Sequence, residues 1–177
     1  MQNVKRFTIR DMAMTAVFTA VLCAVAPFSL FIGPIPLSFA TFIVYLAAGA
    51  LDFRSGVVSV VLYVALGAVG LPVFTGFAGG FHKIAGVTGG FIIGYIVCAA
   101  ATGVTLFVFG KKRLTYILGM VMGTLLLYTC GTAWFMLQTG SSLQASLMLC
   151  AVPFLPGDAA KIAAASIIAP QLRRAIR

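Results

Sequence analysis

The pattern of hydrophobic positions divides the chain into six apolar runs, which are separated by polar or by glycine- and proline-rich connections. A run of about 20 apolar residues is long enough to cross a bilayer as a helix. The pattern predicts a single membrane domain covering residues 1–177, with approximate helical spans 11–26, 37–51, 57–71, 90–109, 114–137 and 147–169. The second and third spans are short, so we expect tilt, local bilayer thinning or shielding by neighbouring helices.

The connections alternate in length along the chain. Those after the first, third and fifth spans are long, and those after the second and fourth are short. The first long connection, 27–36, is expected to be a loop. Trp134 lies near the end of the fifth span and is interpreted as an anchor at the membrane interface. The asymmetry predicts a cavity that opens on the side of the long connections.

Composition supports the membrane assignment. The chain is 62% hydrophobic and 8% charged, whereas soluble domains carry about 25% charged residues. Six spans of roughly 20 residues together with their connections account for the 177 residues, so we expect no soluble domain. The predicted fold class is therefore an all-α integral membrane protein with six transmembrane helices.

The net charge of +9 is concentrated at one end of the predicted bundle. If the spans alternate in direction, the basic residues on this side are Lys5, Arg6, Arg10, Arg54, Lys111, Lys112, Arg113, Arg173, Arg174 and Arg177. Lys83 lies on the other side and Lys161 within the sixth span. This distribution predicts cytoplasmic N and C termini and contact with anionic lipid, and it argues against a nucleic-acid partner.

The N-terminal segment also has features of a signal peptide. It combines a basic lead, an apolar core and the small residues Ala24-Val25-Ala26. Its removal would leave five spans and would place Arg54 and residues 111–113 on the wrong side of the membrane. We therefore expect the segment to remain as the first helix.

The strongest candidate for chemistry is the segment 153–161, which lies inside the sixth apolar run. Asp158 and Lys161 are three residues apart and share one face of a helix. A charge at bilayer depth costs about 2.5–3.5 kcal/mol even on lenient scales, so such residues face inward and pair. Pro153 and Pro156 break the helix or restart it, and a helix N-terminus favours a carboxylate there. The segment predicts a ligand site; the alternative is a structural ion pair.

The second candidate is the glycine-rich segment 74–90, which we call the lid. Its six glycines allow tight turns and close approach to a ligand, and Phe74 and Phe77 supply apolar faces. The functional interpretation is a flexible cover over the cavity, and the alternative is a long linker. Lys83 either meets an anionic ligand or faces water, and His82 is interpreted as a solvated side chain.

The first predicted helix carries small residues at intervals of four, at Ala16, Ala20 and Ala24. Such a stripe lets a second helix approach closely. The sequence leaves open whether the second helix belongs to the same bundle or to a partner subunit.

Several chemistries are absent from the sequence. The chain has no phosphate-binding loop, no H-E-x-x-H, no G-x-S-x-G and no glutamate. Its four cysteines lack C-x-x-C spacing, so we expect no metal site. With one histidine and three acidic residues, few groups are available for acid–base catalysis. We expect a protein that is not an enzyme.

Four motifs together closely resemble the BioY family, the biotin-binding S components of energy-coupling factor (ECF) transporters. They are Gly-Leu-Pro-Val-Phe at 70–74, Gly-Gly at 79–80, Gly-Val-Thr-Gly-Gly at 86–90, and Pro-Phe-Leu-Pro-Gly-Asp-x-x-Lys at 153–161. The resemblance covers most of the chain. Val87 departs from it, because the family more often has proline before Thr-Gly-Gly.

The resemblance implies a biotin site near the outer surface, closed by the loops after helices one, three and five. Asp158 and Lys161 match the acid and base that contact biotin. The expected further contacts are Thr88, Gly79 and Gly80 in the lid. From the chemistry of biotin, we also expect Phe74, Phe77 and Phe154 to enclose its ring. Biotin is then the transported ligand, and no cofactor is expected.

The resemblance also implies partners in a prokaryotic cytoplasmic membrane. A transmembrane T subunit and two ATP-binding A subunits are expected to supply the energy. The stripe Ala16, Ala20 and Ala24 matches the family's docking face for the T subunit.

Two other functions are compatible with the residues. One is a self-sufficient secondary transporter of biotin or another small vitamin, in which Asp158 titrates and couples uptake to protons. The other is a structural membrane subunit without a ligand.

Overall fold

The computed structural model describes residues 8–31 and 36–176, and within them the chain is predominantly helical. The elements are α1 (Ile9–Val25), β1 (Ser29–Phe31), β2 (Pro36–Ser38), α2 (Ala40–Ala50), α3 (Phe53–Val69), α4 (Phe81–Ala85), α5 (Gly89–Phe109), α6 (Arg113–Thr139), α7 (Leu143–Cys150), a 3-10 turn (Val152–Phe154) and α8 (Leu155–Ile176). The predicted all-helical class is confirmed, with a short antiparallel hairpin added.

Two predicted elements differ in the structure. The sixth span, 147–169, lies within two helices, α7 and α8, which meet at the 3-10 turn, where the prolines predicted a break. Pro153 lies in this turn, and because proline has no N–H group it interrupts the helical hydrogen bonds there. The expected loop 27–36 contains strand β1 and the start of β2, in which Ser29 lies opposite Ser38.

The second and third spans have shifted ends. The second, predicted at 37–51, is the shorter α2, because residues 36–38 belong to β2. The third, predicted at 57–71, is α3, which begins at Phe53 and ends before Gly70. Gly70 has a left-handed backbone conformation (φ +116°) that terminates the helix.

Helix α2 is the centre of the bundle. Ten of its 11 residues are buried, against α8, α5, α3 and α1. At 1.5 Å per residue it is only about 17 Å long, shorter than the apolar thickness of a bilayer, about 30 Å. Neighbouring helices shield it from lipid. Among the described residues, α5, α6 and the stretch Leu143–Ile176 are long and apolar enough to cross a membrane.

Helices α5 and α6 pack closely along their lengths through glycines. A Cβ atom on Gly123 would lie 2.8 Å from Thr102 Oγ1 and 2.9 Å from the carbonyl oxygen of Cys98. A Cβ atom on Gly90 would lie 2.3 Å from Cβ of Trp134. Only glycine permits this separation, as is common where membrane helices pack.

The bundle has two distinct ends. At the first, which we call the lid end, the N-termini of α2, α5 and α8 meet the lid and the hairpin. At the other, the basic end, lie the α2–α3 and α5–α6 turns and the C-terminus of α8. The basic residues there include Arg54, residues 111–113, and Arg173 and Arg174.

Arg173 differs from the other basic residues at this end because it is buried. Its guanidinium donates to the carbonyl oxygens of Gly49 (3.2 Å) and Leu51 (2.5 Å), and it pairs with the carboxylate of Asp52. The last carbonyl groups of a helix lack hydrogen-bond donors within the helix, and at the end of α2 the guanidinium of Arg173 is the donor. It therefore joins α8 to the end of α2.

Replacing Arg173 with alanine is expected to destabilise the folded protein by about 2 kcal/mol, because charge-assisted hydrogen bonds to the end of α2 are lost. Thermal unfolding of the detergent-purified variant measures the effect. Arg174→Ala is the matched control, since Arg174 is the exposed neighbour on the same helix. Equal unfolding midpoints for the two variants would contradict the capping role.

Candidate ligand-binding site

The lid end encloses a cavity of about 390 Å³, within the size range of small-molecule sites. Six aromatic side chains form much of its wall: Tyr63, Phe74, Phe91, Tyr95, Tyr128 and Phe154. Its polar and charged lining residues are Ser38, Thr41, Thr75, His82, Lys83, Thr88, Asp158 and Lys161. Apolar walls with a few placed polar groups are typical of sites that bind a small organic molecule.

The start of α8 places the charged pair in this cavity. Asp158 lies in the first turn, directly after the 3-10 turn, and Lys161 is one turn further along the same face. Lys161 Nζ lies 2.9 Å from Asp158 Oδ1. The pair is thus turned inward, as the cost of a charge in lipid requires.

Lys161 is held by three acceptors. Besides Asp158, its ammonium donates to the carbonyl oxygen of Ser38 (2.8 Å) and to Thr41 Oγ1 (3.0 Å). An ammonium has three donors, so all three are used. A ligand that accepts from Lys161 must replace one of these contacts.

Asp158 is buried, and both of its oxygens accept hydrogen bonds. Oδ1 accepts from Lys161 and from Thr41 Oγ1 (3.3 Å), and Oδ2 accepts from the Tyr128 hydroxyl (2.5 Å). A carboxylate offers about four acceptor positions. By this count Oδ2 can accept one more hydrogen bond, and Asp158 lines the cavity.

Phe74, Thr88 and Phe154, proposed from the sequence, all line the cavity. Phe74 is almost fully buried and packs edge-on against Tyr63, with ring centroids 5.7 Å apart. Its ring occupies the space beside Gly67, where a Cβ atom would lie 2.2 Å away. The packing of α3 against the lid thus fixes this wall.

Gly79 and Gly80 lie outside the cavity wall. A Cβ atom on Gly79 would lie 2.2 Å from the carbonyl oxygen of Leu71, and Gly80 has a positive φ of +96°. These glycines shape the turn that carries the wall. Phe77 also lies outside the wall: it is exposed and packs edge-on against Phe28, with centroids 5.4 Å apart.

His82 and Lys83 border the cavity, and neither is buried. Trp134 was interpreted as an interface anchor. In the structure it is half-buried at the lid end of α6, and its indole N–H donates to the carbonyl oxygen of Gly86 in the lid (2.9 Å). The position of a tryptophan at the end of a span does not distinguish these two uses.

Most of the polar residues around the charged pair were not predicted from the sequence. Tyr63, Tyr95 and Tyr128 are hydroxyl-bearing residues within apolar runs, and this was a usable signal. Thr41 gave none, because hydroxyl side chains in helices often bond only to their own backbone. Ser38 gave none either, because the group that meets Lys161 is its main-chain carbonyl, which every residue type has.

The alanine stripe on α1 does not pack into the described bundle. Ala16, Ala20 and Ala24 are exposed, whereas Phe18 and Leu22 on the opposite face are buried. The stripe is thus an outward surface of small residues, and packing within the bundle does not account for it.

The fold is a helical bundle with helices long and apolar enough to cross a membrane, and its cavity has the size and the kind of lining that small-molecule sites have. A model of the BioY family matches residues 1–177. The chain belongs to the BioY family, so the resemblance in its motifs is confirmed.

Two relatives are similar in sequence to this chain over nearly its whole length. A probable biotin transporter BioY of Pyrococcus horikoshii is 35% identical, covering 93% of this chain and 96% of the relative. The biotin transporter BioY of Thermotoga maritima is 33% identical, covering 94% and 97%. These relatives are named as transporters and not as enzymes, in agreement with the expectation from the sequence.

A crystal structure has the same fold. It is the S component for biotin from an ECF-type ABC transporter, with a TM-score of 0.85 and 24% identity. The match covers 98% of this chain and 95% of that one. The whole described bundle therefore follows a known membrane architecture.

Replacing Gly131 with alanine is expected to destabilise the protein by about 1–3 kcal/mol through overpacking. The added Cβ atom would lie 2.4 Å from the ring of Phe91, which lines the cavity. Thermal unfolding of the purified variant tests this. The double variant Gly131→Ala/Phe91→Leu should regain part of the loss, and no relief would show that Phe91 is not the clashing group.

Proposed function

We propose that this chain binds biotin in the cavity at the lid end and is the S component of an ECF transporter. The observation that carries the proposal is the cluster around Asp158, which forms a polar floor in an aromatic cavity and leaves one acceptor position open. Membership of the BioY family and the names of the relatives support biotin as the ligand.

The chemistry of biotin matches this floor. Its ureido ring offers two N–H donors and a carbonyl acceptor, and the open position on Asp158 Oδ2 suits one of the N–H groups. Lys161 would donate to the ureido carbonyl by exchanging the contact with Ser38 or Thr41. The thioether ring would then lie between Phe74 and Phe154, both of which line the cavity.

The carboxylate of biotin is assigned to the cavity mouth. Placed at the floor, it would lie beside the negative charge of Asp158, and like charges repel. Lys83 borders the cavity on the lid and offers a positive charge there. In this orientation the ureido group meets Asp158 and Lys161 at the floor, and the carboxylate meets Lys83 at the mouth.

The energy for uptake is assigned to partner subunits. The sequence has no phosphate-binding loop of its own, and the exposed stripe on α1 offers a smooth surface to a T subunit bound to two ATP-binding A subunits. The basic end is assigned to the cytoplasm of a prokaryotic cell, because its charge follows the positive-inside rule. The lid end then faces the outside, where biotin enters.

Proton coupling through Asp158 has less support. Its carboxylate already accepts three hydrogen bonds, one of them from the ammonium of Lys161, and a fixed binding group accounts for this arrangement. A purely structural subunit would not need an aromatic cavity of this size.

Biotin affinity tests the site directly. Asp158→Asn and Lys161→Met are each expected to weaken biotin binding by roughly 10- to 100-fold, because hydrogen bonds to charged groups are worth about 1.5–3 kcal/mol. Equilibrium binding to detergent-purified protein measures the change, with other vitamins as competitors. Lys112→Met, at an exposed position of the basic end, should bind like the parent chain. Full affinity in both site variants would refute the assignment.

The docking surface is tested separately. The double variant Ala16→Leu/Ala20→Leu is expected to bind biotin normally but to assemble poorly with the T and A subunits and to transport little, since large side chains prevent close helix contact. Co-purification and uptake in cells measure the two effects. Ala133→Leu, at an exposed alanine of α6, is the control. Normal assembly of the double variant would contradict this surface.

A further inference from the structure

The outer end of α6 reaches across to the lid through two side chains. The indole N–H of Trp134 donates to the carbonyl oxygen of Gly86 (2.9 Å), and the amide of Gln138 donates to that of Ala85 (3.0 Å). Both acceptors directly follow or end the short helix α4. They lie just before Thr88, which lines the cavity.

The two halves of the lid are held differently. The first half is held by backbone hydrogen bonds, from Gly76 N to the carbonyl oxygen of Pro27 (2.9 Å) and from Gly80 N to that of Gly67 (2.7 Å). The second half, residues 81–88, contains only five helical residues, and none of them is buried. In the described parts of the chain, the side-chain hydrogen bonds that reach it from another element are those from α6.

The same helix also contacts the floor of the site. Tyr128 donates to Asp158 and lies six residues before Trp134, about 9 Å along the helix. The Trp134 side chain is itself fixed by close packing against Gly90 at the start of α5. A Cβ atom added to Gly90 would lie 2.3 Å from the Cβ atom of Trp134. Helix α6 thus carries donors to both the floor and the cover.

We propose that Trp134 and Gln138 are positioning residues that hold residues 81–88 over the cavity mouth and so set the rate at which the ligand leaves. The inference rests on the proposed function for the identity of that ligand, biotin. Residues 81–88 contribute five of the lining residues: His82, Lys83, Gly86, Val87 and Thr88. Loss of both donors frees this segment to move away while leaving the floor unchanged.

The variants Trp134→Phe and Gln138→Ala, alone and combined, test the inference. Phenylalanine keeps an aromatic ring beside Gly90 but has no N–H donor. The double variant is expected to release radiolabelled biotin roughly 30-fold faster, because it loses two hydrogen bonds of about 1 kcal/mol each and about 1.4 kcal/mol corresponds to a tenfold change. The association rate should change little. Amide hydrogen exchange of residues 81–88 in the ligand-free protein should also become faster, while the unfolding midpoint stays close to that of the parent.

Gln144→Ala is the matched control, because Gln144 is an exposed glutamine on the neighbouring helix α7. It should change neither rate. Unchanged biotin release in the double variant, or unchanged exchange at residues 81–88, would overturn the inference. If the parent chain fails to bind biotin, the proposed function is wrong, and the exchange measurement alone still decides whether α6 holds the lid.

Discussion

The ion pair between Asp158 and Lys161 is the constraint on which the rest of the structure depends. Two opposite charges inside an apolar bundle are costly unless they are paired and hydrogen-bonded. Here α2 supplies Thr41, α6 supplies Tyr128 and strand β2 supplies a carbonyl oxygen. The position of three elements around the start of α8 follows from these polar contacts, and the cavity is the space above them.

Around this floor, small residues set the separation of the helices and aromatic residues fill the walls. Glycines bring α5 and α6 together, which places Tyr128 against α8 and Trp134 against the lid. A shared helix thus links the polar floor to the cover. Close packing of the helices thus completes the cavity beside the polar floor.

The sequence located the site where it placed residues that are energetically unfavourable in an apolar helix. A charge pair in an apolar run, after two prolines, admits few explanations, so Asp158 and Lys161 could be placed at the site. Threonine hydroxyls carry no such signal: Thr105 and Thr129 bond to their own helices, whereas Thr41 bonds to the charged pair. Arg173 was equally ambiguous, because a basic residue after a span is usually solvated, and only the packing of α8 against α2 buries it.

Helices α2 and α8 are joined by polar contacts at both of their ends. The charged pair and Thr41 connect them at the lid end, and Arg173 connects them at the basic end. Between these points, Gly49 lets Ala169 lie in direct contact, since an added Cβ atom would be 2.8 Å from that of Ala169. Polar contacts at both ends, with direct packing between them, oppose sliding of one helix along the other, so the part of the cavity wall formed by α2 and α8 has a fixed width.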